Sequence, residues 1–277
     1  MAWFQISYYS PCLQRLVPLN VLVPQSATPE DPCRTLYLLN GYRGDHTDWL
    51  LNTDVNGMSS AYRCAIVMPG GENSSYVDQP GSGLRYGEFV GRELVEFTRR
   101  LFPCLSRKRE DTAISGLSMG GYGALRLGLK YHGTFGFVMP LSAGMMGPES
   151  IIDERTRARF EARYGDPEGW EESEANPRAL ARKLAASGAE LPKLYIACGW
   201  NDNLCVSNRE YHRYLEKLGF PHVYEEGPGS HEWSTWRWAL PRALDFCGWK
   251  TKDTFVNPFY CEMRDEKYVA APWKEGC

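Results

Sequence analysis

Ser118 lies in Gly116-Leu117-Ser118-Met119-Gly120, between a β-branched run at 112–114 and an Ala/Leu-rich stretch that ends at Lys130. The pattern G-x-S-x-G, passing from strand straight into helix, lifts a serine hydroxyl onto a tight turn for nucleophilic attack. Such a turn imposes strained backbone angles, and it brings strand and helix so close that the residues two positions on either side must lack a Cβ. Gly116 and Gly120 meet that need. A helix starting directly behind the serine turns its free N–H groups and its positive dipole end toward the place where negative charge would form. The backbone N–H of Met119 is therefore one expected oxyanion donor.

A serine hydroxyl is a poor nucleophile until a base takes its proton, and the base needs an orienting acid. Five histidines are available, at 46, 132, 212, 222 and 231. His231 sits in Gly227-Pro228-Gly229-Ser230-His231-Glu232-Trp233, a glycine-rich loop between a strand-like stretch (222–226) and the last expected helix, from which an imidazole can swing over the serine. His132 and His212 read as surface residues, and His46 is the competitor for the base. The acid should follow a strand and be buried. Asp202, directly after the apolar run 194–198, meets this; Asp45 and Asp48 lie in a loop near the same edge but precede the serine. The order Ser118, Asp202, His231 is that of an α/β-hydrolase. The second oxyanion donor is expected in Asn40-Gly41-Tyr42-Arg43-Gly44, where Gly41 allows close backbone approach and the N–H of Tyr42 is the donor; a plain glycine turn is the alternative. Gly41, Met145 and Trp233 are the expected substrate contacts.

These side chains need a scaffold that gathers strand ends at one edge. Residues 35–39, 64–68, 135–141 and 194–198 are apolar runs, each followed by a turn or small residue, as in parallel strands buried on both faces. Residues 5–23 suggest an N-terminal pair of strands. Val90, Leu94, Phe97 and Leu101 share one helical face that stops near Pro103, and 178–187, 208–218 and 233–247 are further helices. Alternating strand and helix predicts an α/β fold, a doubly wound, mostly parallel sheet in one domain spanning 1–277, with its site beyond the strands' C-terminal ends. Residues 144–187 interrupt this pattern with charge, Gly, Pro and exposed-looking Met145, Met146, Phe160 and Trp170. They are expected to form a small lid or cap; a solvated excursion is the alternative. The tail 248–277, rich in aromatics without a period, either wraps the domain or fills a subunit interface of a homo-oligomer.

The 277 residues carry a formal net charge of -3, which gives no electrostatic case for nucleic acid or an anionic membrane as partner. No stretch approaches the roughly 18 apolar residues of a membrane span, and the N-terminus lacks a secretory pattern. Nine scattered cysteines favour reduced core thiols, hence a soluble cytoplasmic protein. His231-Glu232 begins like H-E-x-x-H, but Thr235 removes the second ligand, so no metal is expected. Gly81, Gly83 and Gly87 do not form G-x-G-x-x-G, and no nucleotide cofactor is expected.

Four stretches in series, LYLLNGYRGDHTDWL, GLSMGGYGALRLGLKY, IACGWNDNL and YEEGPGSHEWSTW, resemble the esterase D-like branch of the α/β-hydrolases, over about residues 5 to 247. That branch includes tributyrin esterases, S-formylglutathione hydrolases, and feruloyl and acetylxylan esterases. The resemblance implies a serine carboxylesterase without cofactor, with Ser118 as nucleophile, Asp202 as acid and His231 as base. Asn40 stands where these esterases usually carry histidine before glycine. The elbow GLSMGGYGA looks more like the tributyrin, feruloyl and acetyl esterases than the S-formylglutathione hydrolases, whose elbow usually reads G-H-S-M-G-G. The expected substrates are short-chain acyl esters, including acetyl or feruloyl esters of plant carbohydrates, as small molecules or oligosaccharides. A thioesterase acting on S-formylglutathione and a non-hydrolytic acyltransferase or binding member of the fold are the rivals.

Overall fold

Residues 1–250 are described by the structure, a computed structural model; residues 251–277, most of the aromatic tail, lie outside them. The chain runs β1 (Ala2–Ser10), β2 (Arg15–Val23), β3 (Arg34–Leu39), α1 (Asp48–Asn52), α2 (Val55–Ala61), β4 (Cys64–Pro69), α3 (Tyr86–Glu88), α4 (Leu94–Leu101), β5 (Thr112–Leu117), α5 (Met119–Lys130), β6 (Phe137–Leu141), α6 (Glu154–Tyr164), α7 (Pro177–Ala186), β7 (Lys193–Gly199), α8 (Cys205–Leu218), β8 (His222–Gly227) and α9 (Trp233–Phe246). The eight strands form one sheet in the order β1-β2-β4-β3-β5-β6-β7-β8. β1, β2 and β4 pair antiparallel, and the pairs from β4 across to β8 are parallel. This is the expected doubly wound, mostly parallel sheet.

Burial on both faces explains the unbroken apolar strands. Tyr37, Leu39, Val67, Ile114, Val138 and Ile196 face one core, covered in part by α4, α5, α7 and α8. Leu36, Leu38, Ile66, Ala113, Met139 and Tyr195 face the other, packed with Trp49, Val55 and the apolar stripe of α9. The register aligns the strand ends: Leu39 pairs with Gly116, Leu117 with Leu141, and Gly199 with Gly227. Three chain reversals that carry Ser118, Asp202 and His231 thus leave the sheet along one edge.

Two expectations need correction. The helix expected over Val90–Leu101 contains a π turn at Phe89–Glu93. Its extra residue per turn rotates the apolar stripe, so Val95 and Thr98 are buried while Leu101 is 47% exposed. Phe160 and Trp170, expected at the surface, are 4% and 8% exposed. With Val77, Tyr122 and Ala175 they make a small core of their own, in which Phe160 and Trp170 stand edge-on, 5.4 Å apart. A charged amphipathic segment hides its few aromatics once it has a partner surface, here the Tyr122 face of α5. Within 144–187, α7 differs from α6: Ala181 and Leu184 join the main core beneath the sheet.

β8 is tied to α8 by one strong contact. Arg209 grips Glu226 through two hydrogen bonds, Nε to Oε1 at 2.8 Å and Nη2 to Oε2 at 2.7 Å, and Tyr224 Oη adds a third at 2.8 Å. The Arg209 hydrogen bond outweighs the opposing effect of burial and holds the Glu226 carboxyl at about 2, below its ordinary 4.5. A depressed carboxyl pKa stabilises the fold above the unfolded value, and that stabilisation is lost as pH falls through the folded one. Replacing Glu226 by Gln is therefore expected to flatten the loss of stability between pH 4.5 and about 2, read as unfolding midpoint against pH in urea; an unchanged acid limb would refute this.

Candidate active site

Ser118 sits at φ 55°, ψ -115°, the strained turn its motif demands. Space explains the glycines. A Cβ on Gly116 would lie 2.6 Å from the Gly120 carbonyl oxygen, and one on Gly120 would lie 2.5 Å from that of Leu39. The turn is held on both sides: Ser118 N–H donates to Leu141 O (2.9 Å), and Tyr122 and Gly144 N–H donate to Ser118 O (3.0 Å each).

The loop after β8 brings His231 to this turn. His231 Nε2 is 2.9 Å from Ser118 Oγ, and His231 Nδ1 is 2.9 and 3.0 Å from the two Asp202 carboxylate oxygens. The Asp202 carboxylate is fully buried and also accepts the Leu204 N–H at 2.8 Å. Burial pushes this carboxyl up, but the hydrogen bonds from His231, Leu204 N–H and the Ser142 hydroxyl outweigh it and hold it below its ordinary value. An acceptor facing Nδ1 fixes the neutral imidazole with its proton on Nδ1, which leaves Nε2 free to accept from the serine. Trp236 stands edge-on to the His231 ring at 5.2 Å and donates its indole N–H to Ser142 Oγ at 3.2 Å.

The loop after β3 packs against the elbow. A Cβ on Gly41 would lie 3.7 Å from Ser118 Cβ and 2.5 Å from Leu117 Cδ1, so the backbone reaches the serine only because position 41 has no side chain. Among the described residues no protein acceptor takes the Tyr42 N–H. Met119 opens α5, so its N–H has no carbonyl a turn behind it in the helix. Met145 is half-buried beside the main core, follows Gly144 in the chain and, with Met146, lines a cavity of ≈ 520 Å³. Trp233 instead packs edge-on between Trp49 and Trp236, at 5.3 and 5.2 Å.

The other candidates lie elsewhere. His46 gives its carbonyl to Asn20 Nδ2 and is 3.9 Å from Asp45, whose carboxylate is taken by Thr47; Asp48 belongs to α1. His132 lies in the turn after α5. His212, expected on the surface, is half-buried, its Nδ1 2.8 Å from His222 Nε2 and its ring stacked on Tyr224.

Two buried polar residues hold the site in ways the sequence reading did not anticipate. Asn40, 1% exposed, donates Nδ2–H to Gly41 O (2.8 Å) and accepts Gly71 N–H (3.0 Å) and Tyr76 O–H (2.9 Å) at Oδ1. It clamps the loop that approaches Ser118. Arg126, 2% exposed, donates to the carbonyls of Tyr76 (3.0 Å) and Glu174 (2.9 Å), tying α5 to the same Tyr76 loop and to the segment before α7. The signal for Asn40 was an amide at the end of an apolar strand; Arg126 left none, because a charged residue on a helix normally faces water.

A mostly parallel sheet with a serine on its central strand-to-helix turn, a histidine on it and a carboxylate behind, defines an α/β-hydrolase fold of the serine-hydrolase class. A family model described as "Putative esterase" matches residues 10–247. The acetyl esterase of Caldicellulosiruptor saccharolyticus is 36% identical over 261 residues, covering 89% of this chain and 98% of that protein. Among solved structures, the fluorophosphonate-binding serine hydrolase F of Staphylococcus aureus aligns with a TM-score of 0.80 at 30% identity, over 89% of this chain and 98% of that one. The S-formylglutathione hydrolase of the same organism aligns with a TM-score of 0.78, also at 30% identity and with the same coverage. The chain belongs to this esterase family and is a serine carboxylesterase.

Gly120→Ala tests the packing of the elbow. Its methyl would meet two backbone oxygens, Leu39 O at 2.5 Å and Asn40 O at 2.6 Å, neither of which can swing aside. The expected outcome is a loss of about 1–3 kcal/mol in unfolding free energy, with the loop after β3 displaced and ester turnover falling further than stability does. A thermal melt and a turnover assay on the same preparation separate the two effects; wild-type values in both would show that the approach is not tight.

Proposed function

We propose that Ser118, His231 and Asp202 are the catalytic residues of this esterase and that short-chain acyl esters, acetyl esters first, are its substrates. What carries the assignment is the 2.9 Å contact between Ser118 Oγ and a His231 whose far nitrogen is held by a buried carboxylate. Ser118 Oγ attacks the ester carbonyl while His231 Nε2 takes its proton. The negative charge on the tetrahedral oxygen is met by the N–H groups of Tyr42 and Met119, each contributing about 10²–10³ in rate. His231 then protonates the leaving alcohol, and water, activated by the same imidazole, releases the acid from the acyl-enzyme. Asp202 orients the ring and stabilises its charged form. The acetyl preference is supported by the acetyl esterase relative, and feruloyl esters of plant carbohydrates are the wider class.

We place 144–187 as a cap whose first residue, Gly144, bonds Ser118 O through its N–H, and the seven free thiols among residues 1–250 favour a reducing, cytoplasmic setting. A thioester reading is favoured by the 30% identity to an S-formylglutathione hydrolase, and the same acyl-enzyme chemistry would serve it.

Ser118→Ala is expected to cut turnover by about 10⁴-fold or more with the melting temperature preserved, and Asp202→Asn by about 10⁴-fold through loss of the imidazole's orientation. Retention of most activity in the serine variant would end the assignment. For the substrate, a series of p-nitrophenyl esters of growing acyl length, with methyl ferulate and S-formylglutathione beside them, should show the highest kcat/KM at acetyl. A maximum at long chains, or on the thioester, would replace the acetyl reading.

A further inference from the structure

The surface beside the Tyr42 loop is cationic, and the reaction above makes no use of that charge. Two cavities of ≈ 490 and ≈ 630 Å³ flank the loop, and Gln79 and Arg163 line both, so they adjoin. Arg43 enters the first from the loop itself, and Arg159 enters the second from α6. Tyr42 also lines the second, which puts it directly beside an expected oxyanion donor.

The positive charge there is unspent. Among the described residues, no carboxylate forms an ion pair with Arg43, Arg159 or Arg163, although fourteen arginine–carboxylate or lysine–carboxylate pairs form elsewhere. Glu72, the acidic side chain that lines the first cavity, is already held by Arg15 at 2.6 Å and Tyr86 Oη at 2.7 Å. Asp153, whose carboxylate feels Arg159, is engaged in capping α6 through the Thr156 N–H at 2.7 Å. Arg159 and Arg163 stand four residues apart on α6, a spacing at which like charges repel and cost helix stability. The helix is nevertheless fixed in place against the segment after β4, whose Gln79 and Gly81 line the second cavity together with Tyr42. Gly81 N–H donates to Ala162 O at 3.1 Å, and Tyr164 Oη to Ser75 Oγ at 3.0 Å. In a chain with net charge -3, such a concentration does not follow from composition.

We propose that these cavities bind an anionic group, a carboxylate or a phosphate, carried by the leaving-group side of the ester, with Arg159 and Arg163 as its main partners and Arg43 as a third. The inference rests on the Ser118 reading above. The leaving-group side is assigned because both cavities far exceed the space an acetyl group needs, and guanidinium forks match planar carboxylates and phosphates in geometry as well as charge.

The test uses the full chain and three aryl acetates: neutral methyl 4-acetoxybenzoate, anionic 4-acetoxybenzoate, and 4-acetoxyphenyl phosphate. Each kcat/KM is divided by the ester's own rate of hydroxide hydrolysis. At low salt at least one anionic ester should be preferred over the neutral one by roughly tenfold, the size of one charge-assisted hydrogen bond, and the preferred one tells carboxylate from phosphate. The preference should shrink at about 0.5 M NaCl, where the Debye length is about 4 Å. In Arg159→Gln, an exposed position, the preference ratio should fall about threefold, and in the Arg159→Gln/Arg163→Gln variant to near unity. A wild-type ratio at or below unity, with the neutral ester still turned over, overturns the anion site and leaves the Ser118 reading standing. A double variant that keeps the preference overturns it equally, and failure to hydrolyse any of the three esters removes both proposals.

Discussion

The closeness of three backbone segments at one point, the end of β3, the end of β5 and the start of α5, is the constraint on which the rest depends. Gly116 and Gly120 admit no Cβ there, and Gly41 brings the β3 loop to the same place. Ser118 can hold a positive φ only because hydrogen bonds to Leu141, Tyr122 and Gly144 determine its position from both sides. Strain at a reactive residue persists where the surroundings over-determine it. Here the surroundings are β6 and the first turn of α5, buried along nearly their whole length.

Around that point the polar groups are arranged in satisfied layers. Asp202 is buried yet takes donors from a ring nitrogen and a backbone N–H, so its charge is stabilised within the fold itself. Behind it, Ser142 adopts a positive φ at the end of β6 and receives the indole of Trp236, whose ring in turn abuts His231. On the opposite flank, Asn40 and Tyr76, both fully buried, hold the Gly41 loop by side-chain hydrogen bonds. Buried polar networks of this kind confer geometry as much as stability, because an unmade bond inside them is expensive.

The segment from 144 to 187 divides by what it packs against. α7 joins the main core, while α6 and the turns after it rest on Tyr122 and Val77 through an aromatic cluster of their own. Its outer face carries the arginines that border the Tyr42 loop. One small hydrophobic cluster therefore positions a charged surface beside the Tyr42 loop, without that surface belonging to the central core.

Local chemistry and period were enough, from the sequence, for the sheet class, the elbow, and the chain order of serine, acid and histidine. Apolar runs ending in glycine mark buried strands because both faces must be covered, and a serine between two glycines marks a turn that nothing else can make. What the fold alone decided were contacts between residues distant in the chain. Val90, Leu94, Phe97 and Leu101 looked like one face until a π turn rotated it; Phe160 and Trp170 looked exposed until α5 covered them. Asn40 read only as a departure from a motif, and Arg126 as an ordinary helix charge, because their partners at Gly71, Tyr76 and Glu174 lie 31, 50 and 48 residues away in the chain. Periodicity reports which side of an element is apolar, whereas burial of a polar group depends on a partner that only tertiary packing supplies.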